Sequence, residues 1–104
     1  MTSVLPEHRV ADDPSALRYE IFVGGKLAGH IAYRAEPGTL VLVYTDVELE
    51  WANTWVGREL VRGTLDDIRA RGLYAAPLCP FIHSFVKKHA EYKDLIVRDP
   101  AVSD

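Results

Sequence analysis

Three features of this sequence predict an α+β fold on a mixed sheet. The first half is a series of short alternating apolar runs broken by glycine and proline turns. Residues 53–72 then carry apolar side chains at helical spacing, and Leu73 to Leu78 returns to strand character. Tight turns make antiparallel neighbours, whereas a helix between two strands of one sheet makes those strands parallel.

The first predicted strand is short, Glu7 to Ala11, and Asp12-Asp13-Pro14-Ser15 turns the chain after it. In the second, Leu17, Tyr19, Ile21 and Val23 alternate with Arg18 and Glu20, the period of a half-buried strand; Phe22 breaks the pattern. Gly24-Gly25 supplies two residues that accept positive φ, as a two-residue hairpin requires. The third strand, Lys26 to Arg34, is expected to place Leu27, Ile31 and Tyr33 on one face. After the Glu36-Pro37-Gly38 turn, Thr39 to Val47 contains the unbroken run Leu40 to Tyr44, which predicts a central strand covered on both faces.

Asn53 or Thr54 can cap the helix that follows, and Val56, Leu60, Val61, Leu65 and Ile68 form its apolar stripe. Arg69 and Arg71 suit the negative end of its dipole, and Gly72 stops it. Pro77 is compatible with a strand that ends or splays there. Pro80 fits the first position of a second helix, with Phe81, Ile82, Phe85 and Val86 as its apolar side and its end near His89. Leu95 to Val97 is a last apolar piece before a tail expected to fray.

With 104 residues, 48% of them hydrophobic, the chain reads as one domain, residues 1 to 104, with a single core. Twelve basic and fifteen acidic side chains are interspersed, giving a net charge of −3, which argues against a nucleic-acid partner. Cys79 has no second cysteine to pair with, the N-terminal residues lack a secretory pattern, and no apolar run approaches bilayer length. A cytoplasmic protein is the expectation. His8, His30, His83 and His89 show no metal-ligand spacing, and Cys79 with His83 lacks the third group of a hydrolase triad.

The order of motifs resembles the short, stand-alone domains of the GNAT acyltransferase superfamily. Their T-E-V strand end is here Thr45-Asp46-Val47; their C-P-F segment is Cys79-Pro80-Phe81; their H-P-E-Y finish is His89-Ala90-Glu91-Tyr92. Leu60-Val61-Arg62, Leu65-Asp66-Asp67 and Arg69 to Leu73 belong to the same likeness, which spans residues 17 to 97. The resemblance implies two neighbouring parallel strands that splay, with the pantetheine arm of acetyl-CoA between them and its pyrophosphate on the next helix. Helix N-termini carry unpaired amides and a positive dipole end, so the residue-level reading arrives at the same place.

By that likeness Val47, Asn53, Thr54, Trp55, Val56, Gly57, Arg58 and Cys79 are the cofactor-binding candidates. The superfamily's phosphate loop, R/Q-x-x-G-x-G/A, becomes Ala52-Asn53-Thr54-Trp55-Val56-Gly57, which keeps only the last glycine. Cys79 is expected near the thioester, as an acyl acceptor or as a small buried hydrophobe. Asp46, in the family's glutamate position, is the first general-base candidate, and Tyr92 a candidate acid. Tyr44 stands where relatives carry histidine, and Lys87-Lys88 are candidates for a CoA phosphate. The implied activity is acetyl transfer to a small amine or a lysine-like group. Two alternatives stand beside it: a non-catalytic CoA- or protein-binding module, or a homodimerising domain with Trp51 and Trp55 as anchors.

Overall fold

A computed structural model describes residues 5–100, as a five-stranded sheet with two helices. The strands are β1 (His8–Asp13), β2 (Arg18–Val23), β3 (Lys26–Glu36), β4 (Thr39–Val47) and β5 (Tyr74–Pro77). They lie in the order β1-β2-β3-β4-β5, antiparallel through β4 and parallel between β4 and β5. Helix α1 (Trp55–Ala70) makes the crossover, and α2 (Pro80–Lys88) follows β5. The α+β fold and the parallel β4–β5 pair are those expected from the turns and the crossover.

Helix α1 buries the stripe read from its sequence: Val56, Leu60, Val61, Leu65 and Ile68 are all fully inaccessible. They meet Tyr19, Ile21, Ile31 and Leu42 on one face of the sheet. Thr54 caps the helix by accepting the Val56 amide, and Gly72, at φ 70°, follows the Arg71 C-cap. The hairpin glycines have φ of 57° and 82°, the double positive φ of a tight type I′ turn. Gly63 permits a close approach of α1 to β1, since a Cβ there would stand 2.6 Å from Val10 Cγ2.

The departures from expectation have local causes. Leu17 has φ 54° and belongs to the turn before β2, so its side chain is exposed. The β2–β3 register passes from Ile21↔Gly29 to Phe22↔Leu27, and the extra residue, Ala28, turns inward while Leu27 turns out. On β4, Leu40, Val41 and Leu42 are buried, but Val43 and Tyr44 are exposed, so the double covering stops halfway. β4 is an interior strand next to the β5 edge, with β3 at the middle of the order. The tail is held as far as Asp99: Ile96 bridges Ala75, Val97 N–H donates to the Ala75 carbonyl, and Asp99 pairs with Arg34.

Candidate functional site

The parallel pairing of β4 with β5 is brief. It runs from Thr39↔Tyr74 to Leu42↔Pro77, and Leu78 N–H makes a last rung to the Leu42 carbonyl at 2.9 Å. Two local features end it. Proline has no amide with which to continue a ladder. On β4 the register to β3 shifts from Tyr33↔Leu42 to Ala32↔Tyr44, so Val43 is an extra residue, and a bulge of this kind bends its strand. Cys79 then caps α2, and β4 runs on to Val47 paired with β3 but no longer with β5.

Alternation determines what that free edge offers. Glu48 N–H donates to the Ala28 carbonyl (2.8 Å) and Asp46 is the register partner of His30, so the even-numbered residues here bond to β3. Thr45 and Val47 therefore direct their backbone N–H and C=O groups into the notch where β5 has turned away. A cavity of about 280 Å³ lies against them, closed by Ala52, Asn53, Gly57 and Phe81. Beyond the Phe81 ring a second cavity, about 310 Å³, continues past Arg58 to Phe85, Lys88 and His89. Asn53, Thr54 and Phe81 line both, so the two form one groove from the notch across the start of α1 to the side of α2.

At the head of this groove α1 presents its first turn. Thr54 N–H is used by the Trp51 carbonyl (3.2 Å) and Val56 N–H by Thr54 Oγ1 (3.3 Å), which leaves the amides of Trp55 and Gly57 as first-turn donors. Asn53 holds φ 61°, a conformation asparagine tolerates better than most residues, and thereby turns the chain into the cap. Gly57 is needed for a reason the sequence did not disclose. A Cβ there would lie 3.1 Å from the Phe81 ring, so its absence lets the ring rest on α1. Arg58 and Lys88 supply cations on either side. Phe85 stacks on His89 at 4.0 Å, and the Arg62 guanidinium lies over the Phe85 ring, 5.6 Å from its centroid.

The indole of Trp55 takes no part in the groove. It packs against His8 (5.0 Å) and edge-to-face on Trp51 (5.8 Å). Val56 points its side chain into the core, its amide is taken by Thr54 Oγ1, and it lines neither cavity. Trp51 and Trp55 are half-buried against the core. Lys87, unlike Lys88, does not line the groove.

Cys79 lies at the inner end of the notch, nearly buried, its sulfur 3.5 Å from Thr45 Oγ1. Burial pushes the thiol up, but the Thr45 hydroxyl, the Ile82 and Phe81 amides and the Thr45 amide together outweigh it, and the net displacement is downward. The thiolate is therefore more accessible than in an ordinary cysteine. Asp46 and Tyr44 emerge on the other face of β4, both exposed, with Tyr44 meeting the His30 ring edge-on at 5.7 Å. Tyr92 is not brought to the notch. It is buried, and its hydroxyl donates to Asp66 (2.7 Å), three turns along α1 from the N-terminus. Burial first, then that carboxylate, raise its pKa, which commits the phenol to holding α1 against the segment after α2.

Among the described residues there is no group of three or more histidine, cysteine or acidic residues able to hold a metal, and no helix long and apolar enough to cross a membrane. The family profile described as GCN5-related N-acetyl-transferase matches residues 18–95. A GCN5-like protein of Staphylococcus aureus, solved by NMR, superposes with a TM-score of 0.62 at 18% identity, covering 89% of this chain and 91% of its own. The ribosomal-protein-S18-alanine N-acetyltransferase of Escherichia coli gives 0.59 at 15% identity, over 70% of this chain and 50% of that one. Ard1 of Thermoplasma volcanium gives 0.52 at 14%, over 74% and 54%. This chain thus spans about half the length of the latter two. No curated protein sequence matches it. At these identities the structural likenesses establish the fold, and the profile covers most of the chain: the protein belongs to the GCN5-related N-acetyltransferase family.

Proposed function

We propose that this protein is an acetyl-CoA-dependent N-acyltransferase acting on a small amine or a lysine-like acceptor. The observation that carries the reading is the free β4 edge beyond Leu42, opening into a groove that crosses the unpaired first-turn amides of α1. The donor set fits acetyl-CoA. The Thr45 and Val47 backbone suits the amides of a pantetheine arm, as an added strand would. The Trp55 and Gly57 amides with Arg58 suit a pyrophosphate, and Lys88 a further phosphate. The bound cofactor would supply an acetyl thioester.

The chain's own contribution is positional and electrostatic. Thr45 and the first amides of α2 draw charge toward the sulfur of Cys79, and that environment equally suits a thiolate leaving from the thioester. Asp46, exposed at the far side of the notch, is placed to meet a cationic acceptor. The −3 charge and the lone cysteine support a cytoplasmic setting and a small-molecule rather than nucleic-acid partner.

Calorimetry with acetyl-CoA tests the reading directly. Binding at micromolar concentration that weakens about tenfold in Arg58→Ala supports it; no heat at millimolar cofactor overturns it. Cys79→Ser separates the two routes of transfer. Loss of an isolable acetyl adduct together with loss of turnover assigns a thioester intermediate, and unchanged turnover assigns direct attack by the amine. The alternative of a binding module without catalysis is favoured by the loss of loop glycines, and it corresponds to acetyl-CoA binding with no acetyl transfer to any amine.

A further inference from the structure

The far end of the groove carries charge that the fold itself does not use. Phe81, Ser84, Phe85 and Lys88 fall on one side of α2, and with Arg58 of α1 they line the cavity of about 310 Å³; no carboxylate is among its lining residues. Among the described residues neither Arg58 nor Lys88 is held by a hydrogen bond or ion pair, whereas Arg62, one turn along α1, is held by Glu59 at 3.3 Å. Cations left unneutralised around a cavity complement an anion.

His89 closes this end, and its ring is fixed. The His89 backbone N–H bonds to the Val86 carbonyl, which leaves the Phe85 carbonyl without its helical donor; Nδ1 of the imidazole supplies one at 2.8 Å. A carbonyl only accepts, so Nδ1 carries a hydrogen and Nε2 is the nitrogen left to gain or lose one. The ring also stacks on Phe85, with 14° between their planes. Among the described residues Nε2 has no partner. Neutral, it offers a lone pair; protonated, it offers an N–H and a positive charge.

Resting on the acetyl-CoA reading above, we propose that Lys88 and His89 form a site for a phosphate monoester, in which Nε2 takes a proton from solvent as the ligand binds. The site thereby distinguishes CoA from dephospho-CoA more sharply as pH falls. Imidazoles titrate near neutrality, and a phosphate dianion beside one favours its cationic form. Ser84 adds a hydroxyl on the same side of α2. Of the other charged and titratable groups around His89, Arg58 and Lys88 share the cavity with it; Arg62 and Tyr92, with their partners Glu59 and Asp66, lie against Phe85, and Glu91 follows two residues along the chain.

Calorimetry with CoA and with dephospho-CoA, which lacks the monoester, reads the site at pH 6.5 and 8.5. In the wild type CoA is expected to bind about tenfold more tightly than dephospho-CoA at pH 6.5 and about threefold at pH 8.5. Protonation of the monoester itself, with a pKa of about 6, would give the opposite trend. At pH 7, buffers of different ionisation heat are expected to reveal proton uptake with CoA and none with dephospho-CoA. His89→Gln, which stays polar but cannot charge, is expected to hold the ratio near threefold at both pH values. Lys88→Gln is expected to lower the ratio at both and to keep its pH dependence. A wild-type ratio that does not change with pH overturns the proposal, as does a His89→Gln protein that keeps the dependence. Equal binding of the two compounds overturns it too and leaves the cofactor reading standing; binding of neither at millimolar concentration overturns both.

Discussion

The two ends of α1 are built on opposite terms. Around its C-terminal half, the buried Tyr19 donates to Asp67 at 2.6 Å and Tyr33 to Asp12 at 2.7 Å, while Arg71 lies 2.9 Å from both carboxylates. Arg69 grips Asp94 through two nitrogens, and Tyr92 closes on Asp66. These bonds join β1, β2, β3 and the segment after α2 to one helix. At the N-terminal end the Thr45 and Val47 edge, the Trp55 and Gly57 amides and the Asp46 carboxylate are left for something else. A strand edge left open beside a helix start is a liability unless the rest of the sheet is held in place. The comparison teaches that the polar network anchors the frame from which the notch departs, and that stability and binding should respond to different substitutions.

The strongest way to break the frame is at Gly63. A Cβ alone would stand 2.6 Å from Val10, so Gly63→Val forces β1 away from α1 and is expected to cost about 3 kcal/mol. Urea unfolding measures it, and acetyl-CoA affinity of the folded fraction should stay within twofold. A large loss of affinity at unchanged m-value would show that the two ends are coupled after all.

Tyr33 tests the same end through pH. Burial, then the bond to Asp12, push its pKa up to about 12, above the ordinary phenol value. A group whose folded pKa is raised contributes fully below its unfolded pKa, so this part of stability is present below pH ~10 and is lost as pH rises through about 12. Tyr33→Phe is expected to cost about 1.5 kcal/mol at neutral pH and to flatten the alkaline decline. Equal alkaline slopes in the two proteins would remove Tyr33 from the network's stabilising members.

How much of this could be read in the sequence divides along the same line. The α1 stripe, both helix boundaries and the Gly24-Gly25 hairpin were legible because periodicity and turn chemistry are local. The Ala28 and Val43 bulges were not: an inserted residue leaves an apolar run looking continuous, so Leu27 was expected inside and Val43 and Tyr44 covered. The notch itself was legible through Pro77 and the family motifs, but its bulge was not. The bond of Tyr92 to Asp66 was not legible, because the two residues are 26 apart in sequence.

At the notch end, Gly57→Ala should separate binding from stability. The substitution gains up to about 1 kcal/mol in helix propensity, yet its Cβ lies 3.1 Å from the Phe81 ring, which must yield. Net stability is expected to change by less than ~0.5 kcal/mol, the gain and the displaced contact offsetting one another. Phe81 lines both cavities, so its movement alters the groove at its middle, and acetyl-CoA is expected to bind about tenfold more weakly, ~1.4 kcal/mol. Unaltered affinity would mean that the ring's resting place on Gly57 has no bearing on the ligand's path.

The smallest effect is expected at Trp55, and it sharpens the comparison because the residue belongs to the binding loop by sequence and to the frame by structure. Its backbone amide is one of the two first-turn donors, whereas its ring sits between His8 and Trp51, outside both cavities. Trp55→Phe keeps the amide and an aromatic ring while removing part of the packing. Acetyl-CoA affinity should therefore change by less than about twofold, ~0.4 kcal/mol, with stability falling by about 1 kcal/mol through the lost contact area. If the indole instead met the adenine or blocked the phosphates, the change would appear in the calorimetric affinity and not in the unfolding midpoint. The order of those two responses thus tells whether this side chain serves the groove or the sheet behind it.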